Sequence, residues 1–150
     1  MKKEKLINQL INARKLSSDE EYEQFEDALI KLGGNIEVSD ICELCNAFYD
    51  DTEDEEVMFG LIHFIENFPD KEYLYYIGMC SPNMKDGYEW AMILNKRILN
   101  NEKSLKMYPE VISNMKNDYK RKILELLINI KNENPIRFGK KVDYVIENVK

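Results

Sequence analysis

At 150 residues, 44% hydrophobic and 33% charged, the chain has the size and composition of one globular domain expected to bury a core without metals or disulfides, and it is neither disordered nor membrane-spanning. Six glycines and four prolines are too few for a many-turned β fold, so an all-α chain of long helices and short loops is expected. The formal charge of −7 divides unevenly: residues 1–75 carry 7 Lys/Arg against 19 Asp/Glu, and residues 76–150 carry 14 against 9. A first half that acidic repels nucleic acid and suits a basic protein surface, or simply keeps the chain dissolved.

From Met1 to Lys15 charges interrupt the apolar residues, so the apolar run of a signal peptide is missing, and nowhere is there a membrane-length apolar stretch. A cytosolic protein is expected. Apolar residues at intervals of three and four predict about nine helices. The first, near 2–15, turns Leu6, Leu10 and Ile7 inward. Ser18 and Glu21 form a capping box for a second helix that presents Tyr22, Phe25, Ala28, Leu29 and Leu32 to the core and stops at Gly33-Gly34. Ser39 is expected to open a third with Ile41, Cys42, Leu44, Cys45 and Phe48. Thr52 and Glu55 read as a second capping box for a helix through about Phe68, with Val57, Met58, Leu61, Ile62 and Ile65 on its apolar arc.

Pro69-Asp70 restarts the chain as a short helix, and Ser81-Pro82-Asn83 reads as a turn. A helix over Tyr88–Leu99 follows, then one from Ser104 to Lys116 interrupted at Pro109, an amphipathic one from Asp118 to about Lys131, and a last one from Pro135. Leu29, Ile62, Leu94 and Leu127 lie 33, 32 and 33 residues apart. Each begins a helix–turn–helix unit, so an irregular HEAT-like stack of helical hairpins in one domain, 1–150, accounts for the spacing. An irregular helical bundle leaves nearly the same trace.

Little in the chain points to catalysis. Cys42, Cys45, His63 and Cys80 could supply four zinc ligands, but Cys42-x-x-Cys45 lies within a predicted helix and the other two have unrelated spacing. The three cysteines are expected as reduced, buried, small apolar residues. His63 has no serine or cysteine placed next to it and is expected at a helix–helix contact. Glu66 and Arg97 occupy adjoining hairpins, where a fork-to-carboxylate pair would hold their register. No nucleotide loop or nucleophile elbow occurs, and no metal or cofactor is expected. The run Asp50-Asp51-Thr52-Glu53-Asp54-Glu55-Glu56 lacks the alternating ligands and central glycine of a calcium loop. It either favours a helix start or docks a basic partner.

Three segments carry a resemblance: Gly60-Leu61-Ile62-His63-Phe64-Ile65-Glu66, Glu89-Trp90-Ala91 and Arg97-Ile98-Leu99-Asn100-Asn101. Together they resemble the immunity protein 30 family of bacterial polymorphic toxin systems, chiefly over residues 55–105. The resemblance implies a small helical cytosolic protein, encoded beside a toxin, that binds and neutralises the toxin's C-terminal domain. It implies a non-enzymatic chain with a basic protein partner, no nucleic acid, no membrane and at most a weak homodimer. Asp50, Asp51, Asp54 and Glu55 would supply charge to that contact, with Glu43, Tyr49 and Tyr75 beside them. His63, Glu66, Trp90 and Arg97 match the family-like motifs and are expected to support the fold. From the residues alone, a HEAT-like adaptor or regulatory subunit unrelated to toxins stays open, whereas a helical-repeat nucleic-acid enzyme would need a basic groove the first half does not offer.

Overall fold

The computed structural model describes residues 2–150, which form nine α-helices and no strand. They are α1 (Lys2–Ala13), α2 (Asp19–Leu32), α3 (Ile41–Leu44), α4 (Glu55–Ile65), α5 (Asp70–Cys80), α6 (Tyr88–Asn100), α7 (Glu102–Ser113), α8 (Asn117–Glu133) and α9 (Pro135–Asn148). Short 3-10 turns at Val38–Asp40 and Cys45–Ala47 flank α3, and a third at Ser81–Asn83 follows α5. No described helix is long and apolar enough to cross a membrane.

Side-chain caps set most of the helix starts. Ser18 accepts from the Glu21 amide (3.2 Å), as its position predicts. Glu21 reaches back one residue further than expected, to the amide and hydroxyl of Ser17 at 2.9 and 2.7 Å, and these bonds hold its carboxyl below the usual range. Asn101 and Asn134 cap α7 and α9 in the same manner. Gly34 ends the α2 turn at φ +82°, a conformation that favours glycine.

Three expected boundaries move. The α4 cap is Asp54, whose Oδ1 accepts from the Val57 amide at 3.1 Å. Thr52 instead turns its hydroxyl to the Lys15 carbonyl (3.4 Å), because the preceding chain is tied to the end of α1. Ser39 opens nothing: the turn before α3 is closed by Glu37 and Asp40. Pro109 does not interrupt α7, which runs on to Ser113. The hydrogen bond lost at Pro109 is outweighed by Tyr108, Val111 and Ile112, all buried on either side of it.

The helices contact one another in two series. In one, α3 packs on α5, α5 on α7 and α7 on α9; in the other, α2 meets α4 and α6 meets α8. Leu29, Ile62, Leu94 and Leu127 lie on α2, α4, α6 and α8, so the spacing near 33 residues corresponds to the second series. Between the layers runs one continuous apolar core. Tyr22, expected inward, is 44% exposed, because Phe25, Ala28 and Leu32 take the inner stripe of α2.

The reduced-cysteine expectation holds for Cys45 alone. Cys45 is buried, and burial pushes its thiol up to about 12. Cys42 and Cys80 are half-buried and joined as a disulfide, with Cα atoms 5.5 Å apart. Contact between α3 and α5 brings together two residues 38 positions apart in sequence, a pairing that no spacing rule shows. It also removes Cys42 and Cys80 from any thiolate ligand set.

Candidate partner-binding surface

The acidic run leaves α3 as a strap held at both edges. Towards α1, the Glu53 amide donates to the Lys15 carbonyl at 2.9 Å. Arg14 lies over the Tyr49 ring, 4.7 Å from its centroid, and reaches the Asn46 carbonyl and the Asp86 carboxylate, each at 2.9 Å. Towards α6, the Asp50 amide donates to the Asp86 carbonyl (2.8 Å), and Trp90 Nε1 donates to the Tyr49 carbonyl (2.9 Å).

These bonds sort the carboxylates by role. Asp50 Oδ1 accepts from the amides of Glu89 and Trp90 at 3.1 and 3.4 Å. It therefore serves as a cap for α6, whose own preceding residue, Gly87, has no side chain to do so. Asp54 caps α4. Asp51, Glu53, Glu55 and Glu56 remain exposed.

The Lys15–Glu53 bond also joins the segment that leads into α2 to the segment that leads into α4. Exposed Asp19, Glu20 and Glu23 on α2 thus join the exposed acids of the strap and of α4. The sequence reading passed over these three. Their signal was present in the composition of α2, but their adjacency to the strap depends on how the two helices pack. Among the described residues, none of these seven carboxylates is in an ion pair. In the second half, seven of the nine acids (Asp86, Glu102, Glu110, Asp118, Glu125, Glu133 and Asp143) face a Lys or Arg, and Glu89 and Glu147 do not among the described residues. Exposed carboxylates without ion-pair partners among the described residues thus stand at the starts of both α2 and α4, where the helix dipoles stabilise them.

Glu43 and Tyr75 are not part of that cluster. They lie on α3 and α5, in the other helix series; Glu43 is exposed and Tyr75 is 37% exposed. Tyr49 is half-buried beneath Arg14.

The motif residues do structural work, with one change. Arg97 and Glu66 form the expected fork, Nε to Oε2 at 2.7 Å and a terminal nitrogen to Oε1 at 2.9 Å. Trp90 is buried, edge-on to Phe59 with centroids 5.2 Å apart and stacked near Phe48. His63 is not buried between helices. It is exposed on α4 beside the Phe59 ring, because Met58, Leu61, Ile62 and Ile65 fill the inward positions. The buried Asn95, whose amide donates to Ser81 and to the Ala91 carbonyl while Tyr108 donates to its oxygen, went unnoticed in the sequence. A lone Asn in an apolar helix gives no sign of its partners.

A family model for immunity protein 30 matches residues 12–108. The chain belongs to the immunity protein 30 family. The match extends beyond the motifs at 60–101 to take in α2, the acidic strap and α4, so the immunity-family region includes the whole carboxylate cluster. Membership of an immunity protein family implies a toxin protein as partner. No curated protein and no solved structure matches the chain.

Proposed function

We propose that this immunity-family chain neutralises a cognate bacterial toxin by binding the toxin's C-terminal domain in the cytoplasm. On this reading, the carboxylates at the starts of α2 and α4 face a basic surface of that domain and cover it. The observation that carries the proposal is the group of seven exposed carboxylates without ion-pair partners among the described residues, all inside the family-matched region. Opposed charge of this kind speeds encounter and selects among partners. Inhibition then needs only steric cover of the toxin's active surface, with no chemistry by the chain itself. We read the two helix series as an irregular HEAT-like hairpin stack that holds this surface rigid.

The test uses the C-terminal domain of the polypeptide encoded beside this chain. Asp51→Asn, Glu53→Gln, Glu55→Gln and Glu56→Gln are combined, leaving the caps Asp50 and Asp54 intact. The expected result is association slowed by about tenfold or more at low salt, with a flattened salt dependence. An unchanged rate that is insensitive to salt in the native chain would remove the charge mechanism.

A further inference from the structure

The series of α3, α5, α7 and α9 bears a groove that the carboxylate cluster does not include. It lies between α5, α7 and the Val38–Asp40 turn, has a volume of about 370 Å³, and is walled by Val38, Tyr75, Tyr76 and Val111 with Lys71 and Glu72 beside them. The walls are mostly apolar, and the Tyr75 and Tyr76 rings meet edge to face with centroids 5.2 Å apart.

Two charged side chains, Lys71 and Glu72, line this groove. Lys71 is engaged by Glu110 at 3.4 Å, and Lys3, on the neighbouring face, is held by Asp40 at 3.1 Å. Glu72 at the groove, Glu37 next to Val38, and Glu43 on α3 have no ion-pair partner among the described residues, although Glu37 and Glu43 do feel the charge of Lys3. Lys71 is thus drawn towards Glu110 in a solvent-exposed pair, whereas Glu72 beside it has no such partner among the described residues.

We propose that this groove takes an arginine side chain of the partner toxin. The proposal rests on the toxin-binding reading above and names a second contact for it. An arginine carries an aliphatic stem that gains from the apolar walls, a planar guanidinium that stacks on tyrosine, and a charge that pairs with Glu72. A purely apolar side chain leaves Glu72 unanswered. A lysine answers the charge but lacks the flat face, and a carboxylate is repelled. Tyrosine is also among the residue types enriched at the hot spots of protein interfaces.

The same toxin domain is titrated against the full chain and against Tyr75→Ala, Glu72→Gln and Tyr144→Ala. Tyr144 is the matched control, at 38% exposure on α9. Tyr75→Ala is expected to weaken binding by about tenfold or more and Glu72→Gln by roughly threefold, with Tyr144→Ala unchanged. Native-chain binding with both groove variants within about twofold of it overturns the groove contact and leaves the toxin reading standing. No binding by the native chain overturns the toxin reading, and this contact with it. If Tyr75→Ala melts early, Glu72→Gln decides. The class of side chain is tested without the toxin, using millimolar N-acetylarginine methylamide and its norleucine counterpart. Shifts of the Tyr75 and Tyr76 ring resonances with the arginine compound only support the proposal; equal shifts with norleucine, or none with either, overturn it.

Discussion

Gly87 shows how much of the acidic strap's position rests on single residues. A Cβ added there would meet the Phe48 carbonyl oxygen at 2.8 Å, its Cβ at 2.9 Å and its carbonyl carbon at 3.1 Å. Two of these neighbours are backbone atoms and cannot rotate aside. Gly87→Ala should therefore cost about 1–3 kcal/mol, read as a lower urea midpoint; an unchanged midpoint would mean that the chain before α6 shifts freely. Asp50 acts at the same place, tying the strap to the two amides at the start of α6. Composition marks Asp50 and Asp51 as equivalent acids, yet the first is a cap and the second is exposed to solvent. That difference comes from residues about 40 positions downstream, beyond the reach of any local pattern.

At the scale of helices, the join between α4 and α6 is the informative one. These two make little direct backbone contact, unlike α5 with α7. The Phe59–Trp90 ring contact and the Glu66–Arg97 fork bridge them instead. Arg97 and Glu66 have side chains 40% and 27% exposed, so solvent screens the pair. A double-mutant cycle with Glu66→Gln and Arg97→Gln should give a coupling of about 0.5–1 kcal/mol that shrinks in molar salt. A coupling near zero would mean that the fork adds nothing to this join. The pair was legible because the spacing near 33 residues places Glu66 and Arg97 in adjoining units. Helix starts were legible where the cap is local, as at Ser18, and misread where tertiary bonds compete, as at Thr52. Pro109 was misread because propensity weighs one lost hydrogen bond and cannot weigh the burial of its neighbours.

For the molecule as a whole, the Cys42–Cys80 bond and the cytosolic expectation pull in opposite directions, since a reducing cytosol keeps most thiols free. Closing a loop across 38 positions stabilises the fold by about 2–4 kcal/mol, chiefly by restricting the unfolded chain. Protein purified without reductant should show no thiol reactive to maleimide when native, one after denaturation, and three after denaturation with reductant. Cys45 is the single one, silent in the native state because burial raises its thiol to about 12. Three thiols after denaturation alone would show that the pair is not oxidised. Helical class, element order, the charge imbalance and the family were determined by the sequence itself, because helix periodicity, composition and short motifs are all local. Tertiary packing decided which carboxylates are caps and which are exposed, that α2 adds its acids to the strap, and that Cys42 meets Cys80. It also placed Tyr75 in a groove apart from the acidic cluster. Each of these depends on which helix faces lie together, and a one-dimensional pattern does not contain that distance.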